Sequence, residues 1–81
     1  MKSRKEIRSL LQTVFYKQID KAVVELQNAE WQEIEEFDKI LDELVSQIMQ
    51  IVWINDAFNE YPEKYVGSEI RDLICLGFHG L

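Results

Sequence analysis

The sequence predicts an all-α protein: an antiparallel helical hairpin of two long helices, with a short third helix at the C-terminal end. Three observations carry this expectation. No glycine or proline lies within residues 1–61, so nothing there forces the backbone out of a helix. Apolar residues recur at spacings of three and four in two separate stripes. Of the 81 residues 47% are apolar and 30% charged, too hydrophobic a mixture for a disordered chain. Residues 1–81 are read as a single helical domain. So short a chain buries only about 60% of its unfolded surface, and a partner or second copy would add to a thin stability margin.

The first helix opens at Ser3-Arg4-Lys5-Glu6, which fits a capping box of Ser3 and Glu6. Its stripe is Ile7, Leu10, Leu11, Val14, Phe15, Ile19, Ala22, Val23 and Leu26. A bend is expected at Gln27 to Glu30, where Ala29, Glu30 and Glu33 take the inward positions, with Asn28 as cap of the second helix and Glu30 in its first turn. The alternative is one unbroken helix of nearly sixty residues, about 85 Å long, which could bury its stripe only by dimerising.

The second helix repeats every 3.5 residues through Ile34, Phe37, Leu41, Leu44, Ile48 and Ile51, then Asn55 and Phe58, a seam resembling that of a coiled coil. Pro62 stops it near Asn59. Gly67-Ser68 starts the third helix, with Ser68 as cap, Ile70, Leu73 and Ile74 as its apolar side, and Gly77 as terminator. The expected core is Ile7, Leu11, Phe15, Ile19, Ile34, Phe37, Leu41, Leu44, Ile48 and Ile51. A polar Asn55 on the seam is the kind of residue that fixes register and oligomer state, and it points to a homodimer.

The most informative stretch runs from Glu30 to Glu43. It holds seven carboxylates against Lys39, a net charge of −6 that equals that of the whole chain. Glu35, Asp38 and Asp42 form a row away from the seam, with Glu36 and Glu43 beside them, and one ammonium cannot neutralise them all. Such a face either serves solubility and the helix dipole or docks a basic protein partner. Nucleic acid is disfavoured, because phosphates would be repelled and Lys2, Arg4, Lys5 and Arg8 lack interleaved aromatics. Those four cations are expected to meet Asp56 and Glu60.

A second feature is the segment Ile48 to Ile54, apolar around nearly the whole helix: either the first and third helices cover both flanks or part of it is an exposed contact surface, with Met49 and Trp53, off the seam, as interface candidates. Trp31 at the bend closes the hairpin core or joins an interface. Tyr61, Tyr65 and Phe58 gather around Pro62 beside Glu60 and Glu63, a corner that packs the third helix or recognises a cation. Cys75 has no partner for an intramolecular disulfide and reads as a buried structural thiol in a reducing, cytoplasmic setting. His79, between Gly77 and Gly80, reads as a surface residue.

No secretory signal is expected, since Gln12 and Thr13 end the apolar run after Lys2, Arg4, Lys5 and Arg8. The longest unbroken apolar run, Ile51 to Ile54, is too short to span a bilayer. No cofactor or metal is expected and no enzyme: the carboxylates lie on a surface, and the Glu-x-x-His pairs of a di-metal bundle are missing. In size, acidity and helical content the chain is similar to small inhibitor proteins of bacteria and phages, among them immunity proteins, antitoxins and anti-defence proteins. The likeness is one of composition and implies a protein that binds and inhibits or regulates a basic partner. The competing expectation is a structural or adaptor subunit that self-associates through Ile48 to Ile54.

Overall fold

The computed structural model describes residues 4–54 and 61–80, with only the backbone at Ile54. All of the regular structure in these residues is helical: α1 (Arg4–Thr13), α2 (Tyr16–Asn28), α3 (Ile34–Ile54) and α4 (Glu63–His79). There are four helices where three were expected, and the last is not short. The longest dimension is 41 Å, which rules out the 85 Å unbroken helix. Lys2, Ser3, Asn55, Asp56, Phe58, Asn59 and Glu60, each with an expected role above, lie outside the described residues.

The expected first helix is broken at Val14-Phe15. Val14 and Phe15 still donate to the carbonyls of Leu10 and Leu11, at 2.8 and 3.2 Å, and Phe15 accepts from Ile19 at 3.1 Å. Between these bonds the chain turns through Phe15 at φ −111°, ψ 22°. The turn lets α1 lie against α4: Ile7 and Leu11 become fully buried, while Val14 at the corner is 60% exposed.

The bend between α2 and α3 lies at residues 29–33, a few positions beyond the expected one. Asn28 ends α2 and does not cap α3, and Glu30 belongs to the loop. Ala29 leaves the helix in an extended conformation, its N–H still reaching Leu26 O at 3.3 Å. Trp31 then folds onto Phe37, with ring centroids 4.9 Å apart. Glu33 O receives the N–H groups of Glu36 and Phe37 at 3.0 and 3.2 Å, and Glu35 and Glu36 stand in the first turn, where the helix dipole favours acids.

The seam of α3 is corrected at both ends. Phe37, Leu41, Leu44, Ile48 and Val52 are buried, but Ile34 is 66% and Ile51 36% exposed. A coiled coil would hold a 3.5-residue repeat. Without a supercoil the buried face follows the 3.6-residue turn of a straight helix and drifts from Ile51 to Val52.

Pro62, not Ser68, starts α4. Its carbonyl accepts from Tyr65 and Val66 at 3.0 and 3.2 Å, and Glu63 suits the first turn. Gly67 is therefore interior to the helix, and Gly77, expected as terminator, lies inside it too; α4 ends at His79 with Gly80 as its C-cap. The role of Gly77 is close approach. A Cβ there would sit 2.6 Å from Val23 Cγ2, so α2 and α4 touch nearly backbone to side chain.

Helix α4 touches α1, α2 and α3, whereas α1 and α3 do not meet. It carries Val66, Ile70, Leu73 and Ile74 into the core, three of them with no exposed surface. It runs antiparallel to α3, as Phe78 against Phe37 at one end and Gly67 near Met49 at the other require. It runs parallel to α1, since Arg4 meets Ser68 and Arg8 meets Asp72. In place of a third helix laid across the end of a hairpin, α4 packs along α1 and α3, and both α2 and α4 touch all three other helices.

Candidate functional site

Two clusters of charge flank α4. On its α1 side Glu69 is 5% exposed, yet satisfied: Arg4 Nε donates to Oε1 at 2.9 Å and Arg8 Nε to Oε2 at 2.8 Å. Arg4 also donates to Ser68 Oγ at 3.0 Å, and Arg8 lies 3.6 Å from Asp72. The N-terminal arginines thus hold α4. Two charge-assisted bonds are what a carboxylate needs to be tolerated out of water.

On the α3 side lies the acidic face. Asp38 and Asp42 share a cation that the sequence reading overlooked: Arg71 of α4 reaches them at 3.3 and 2.6 Å. Their place one turn apart on α3 matches the fork of the guanidinium. Glu36 turns back to accept the Gln32 N–H at 3.4 Å, which supports the helix start. Among the described residues no ion pair reaches Glu30, Glu33, Glu35 or Glu43, and Lys39 does not join one either. Beside the first three carboxylates stand two large apolar side chains, Ile34 and Trp31, the latter 38% exposed.

The eight residues singled out from sequence therefore divide. Glu35, Glu36, Asp38, Asp42 and Glu43 all lie exposed on one helix. Trp53 is 36% exposed at the far end of α3, while Met49 is half-buried against the core, near Gly67 of α4. Tyr61 is 8% exposed, its hydroxyl donating to Glu6 Oε2 at 3.3 Å, so it helps tie α1 to the start of α4. Tyr65 remains 40% exposed under the Arg4 guanidinium, 5.6 Å from the ring centroid. Ile34, placed in the core by its period, is the first residue of α3 and is exposed.

An open hollow of about 400 Å³ is lined by Arg8, Asp72, Cys75, Leu76 and His79. Burial is the main influence on the Cys75 thiol and pushes its pKa up, while Arg71 opposes this. A thiol shifted that way holds little thiolate at neutral pH and is a poor nucleophile. His79 is exposed and lies edge-on to Phe78. Among the described residues no group of three His, Cys, Asp or Glu could hold a metal ion, and no helix is long and apolar enough to cross a membrane. Compared with models of protein families, with curated proteins and with solved structures, the chain matches none.

Proposed function

We propose that this chain is a small acidic helical protein-binding module that docks on a basic protein and inhibits or regulates it, in the manner of immunity, antitoxin or anti-defence proteins. The observation that carries the reading is the unpaired set Glu30, Glu33 and Glu35 around exposed Ile34 and Trp31, with Glu43 further along the same helix. Asp38, Asp42 and Glu69 have internal cations; Glu30, Glu33 and Glu35 have none among the described residues, and only Glu35, in the first turn of α3, also serves the helix dipole. Acids without such cations, next to an apolar anchor, are the composition of a docking face: the charge steers the encounter and the buried aromatic or aliphatic group holds it. The self-association reading keeps a smaller surface: Ile48 and Val52 are buried and Met49 half-buried within the chain, while Ile51 and Trp53 are exposed.

Reversal of Glu33, Glu35 and Glu43 to lysine leaves every ion pair described above in place. A partner captured from the native host is expected to associate with this variant at least about tenfold more slowly at low salt, the difference shrinking as salt is added. Ile34→Ala should speed dissociation with little change in melting temperature. A partner that binds the folded triple variant as fast and as tightly as the unaltered chain would end the proposal.

A further inference from the structure

The only local contribution to the break between α1 and α2 that the side chains show is Thr13, whose hydroxyl donates back to Ser9 O at 2.8 Å in the last turn of α1. Neither glycine nor proline is present, and one apolar stripe, Ile7, Leu11, Phe15, Ile19, Ala22 and Leu26, runs through it without a change of face. The backbone bonds that end α1 and begin α2 leave only the i to i−4 bonds of Tyr16, Lys17 and Gln18 to be added. Straightening would make residues 4–28 one helix of about 37 Å. The larger hold on the bent form lies elsewhere: the seat for Ile7 and Leu11 on α4, and the clasp of Arg4 and Arg8 on Glu69 and Asp72. That seat is identical on a second copy.

We infer that two copies of this chain exchange α1. Each straightens at Val14-Phe15 and lays Ile7 and Leu11 on the other's α4, with its arginines on the other's Glu69. The exchanged dimer keeps every α1–α4 contact of the single chain and adds the three backbone bonds that the corner lacks. A two-residue link between elements that can merge into one helix is the kind of hinge that favours exchange over folding back. Both arms swap by the same operation, so the assembly closes at two. Val14 and Tyr16, 60% and 48% exposed at the corner, then lie mid-helix where the two long helices pass. The surface involved is separate from the acidic face, and neither proposal depends on the other.

The test uses charge complementation. One variant carries Arg4→Glu and Arg8→Glu, the other Glu69→Lys and Asp72→Lys, so each repels its own α1. Exchange between the two restores opposite charges at both seats. Refolded together, they are expected to give a one-to-one heterodimer melting about 10 °C above either variant refolded alone. A mixture that remains two separate species overturns the inference. A second measurement does not rely on those variants folding: light scattering of the unaltered chain refolded at high micromolar concentration, and of the same chain with three glycines inserted after Val14. The insertion forbids a continuous helix but eases folding back, so it should turn a dimer into a monomer. A monomer in the unaltered chain, or a dimer indifferent to the insertion, also overturns exchange.

Discussion

Two clasps of opposite polarity sit two residues apart on α4. Glu69 faces the two arginines of α1, and Arg71 faces the two aspartates of α3. The first acid is 6% exposed at its side chain, whereas Arg71, Asp38 and Asp42 are 40%, 54% and 71% exposed. The same pairing chemistry therefore does different work. A charge out of water must keep its partners or destabilise the fold, while a charge in water can lose them at almost no cost. The contrast separates the acid that belongs to the architecture from the acids that remain available.

The largest expected effect breaks the buried clasp. Glu69→Ala strands two arginines against an apolar seat, and losing one member of a buried pair costs about 3–5 kcal/mol. Both arginines are partly solvated, so about 2 kcal/mol is expected here, seen as a melting temperature lower by about 10 °C. A melt unchanged by Glu69→Ala would place the clasp among ordinary surface pairs.

Next come the two interior glycines of α4, which sharpen the comparison by asking which flank is tight. Gly77→Ala gains up to about 1 kcal/mol of helix propensity but drives a methyl group into Val23, an overlap that costs about 1–3 kcal/mol, so net destabilisation is expected. Gly67→Ala meets only Met49 Sδ at 3.9 Å, an ordinary contact, and should stabilise by about 0.5–1 kcal/mol. Two glycines inside one helix thus give opposite signs in chemical denaturation. Two changes of the same sign would contradict the packing described.

The smallest effect on stability belongs to the exposed clasp. Arg71→Ala should shift unfolding by no more than about 0.5 kcal/mol, since exposed pairs are weak and screened. It also frees Asp38 and Asp42, so association with a basic partner should become faster and more dependent on salt. Slower association would show that Arg71 itself belongs to the docking face.

Helical class, the core positions Ile7, Leu11, Phe15, Ile19, Phe37, Leu41, Leu44 and Ile48, and the neighbourhood of the bend before α3 were legible because the apolar period reports them directly. The central place of α4 was not. Gly67-Ser68 looks like a boundary, and nothing local in the sequence says that Gly77 is small because Val23 approaches it. The corner at Val14-Phe15 was equally invisible, since it is imposed by contacts between residues about sixty positions apart. At the candidate site the carboxylates were readable as a run, but their division was not: Arg71 neutralises two of them from a different helix. Ile34 was misassigned because periodicity counts positions and cannot see that a helix starts there. The sequence leaves Tyr61 either packing the last helix or recognising a cation; it is buried, with its hydroxyl on Glu6.

That α4 touches all the others has a consequence for how the chain comes into being. It is the last of the four helices to be synthesised. Until it emerges, the core that Val66, Ile70, Leu73 and Ile74 complete stays open on that side, and α1 and α3, which do not touch, are joined only through α2. The nascent chain must therefore carry its apolar stripes uncovered for most of its translation, a window in which chaperones and neighbouring chains compete for them. A chain stopped before Pro62 is expected to stay unfolded and protease-sensitive, however helical its sequence.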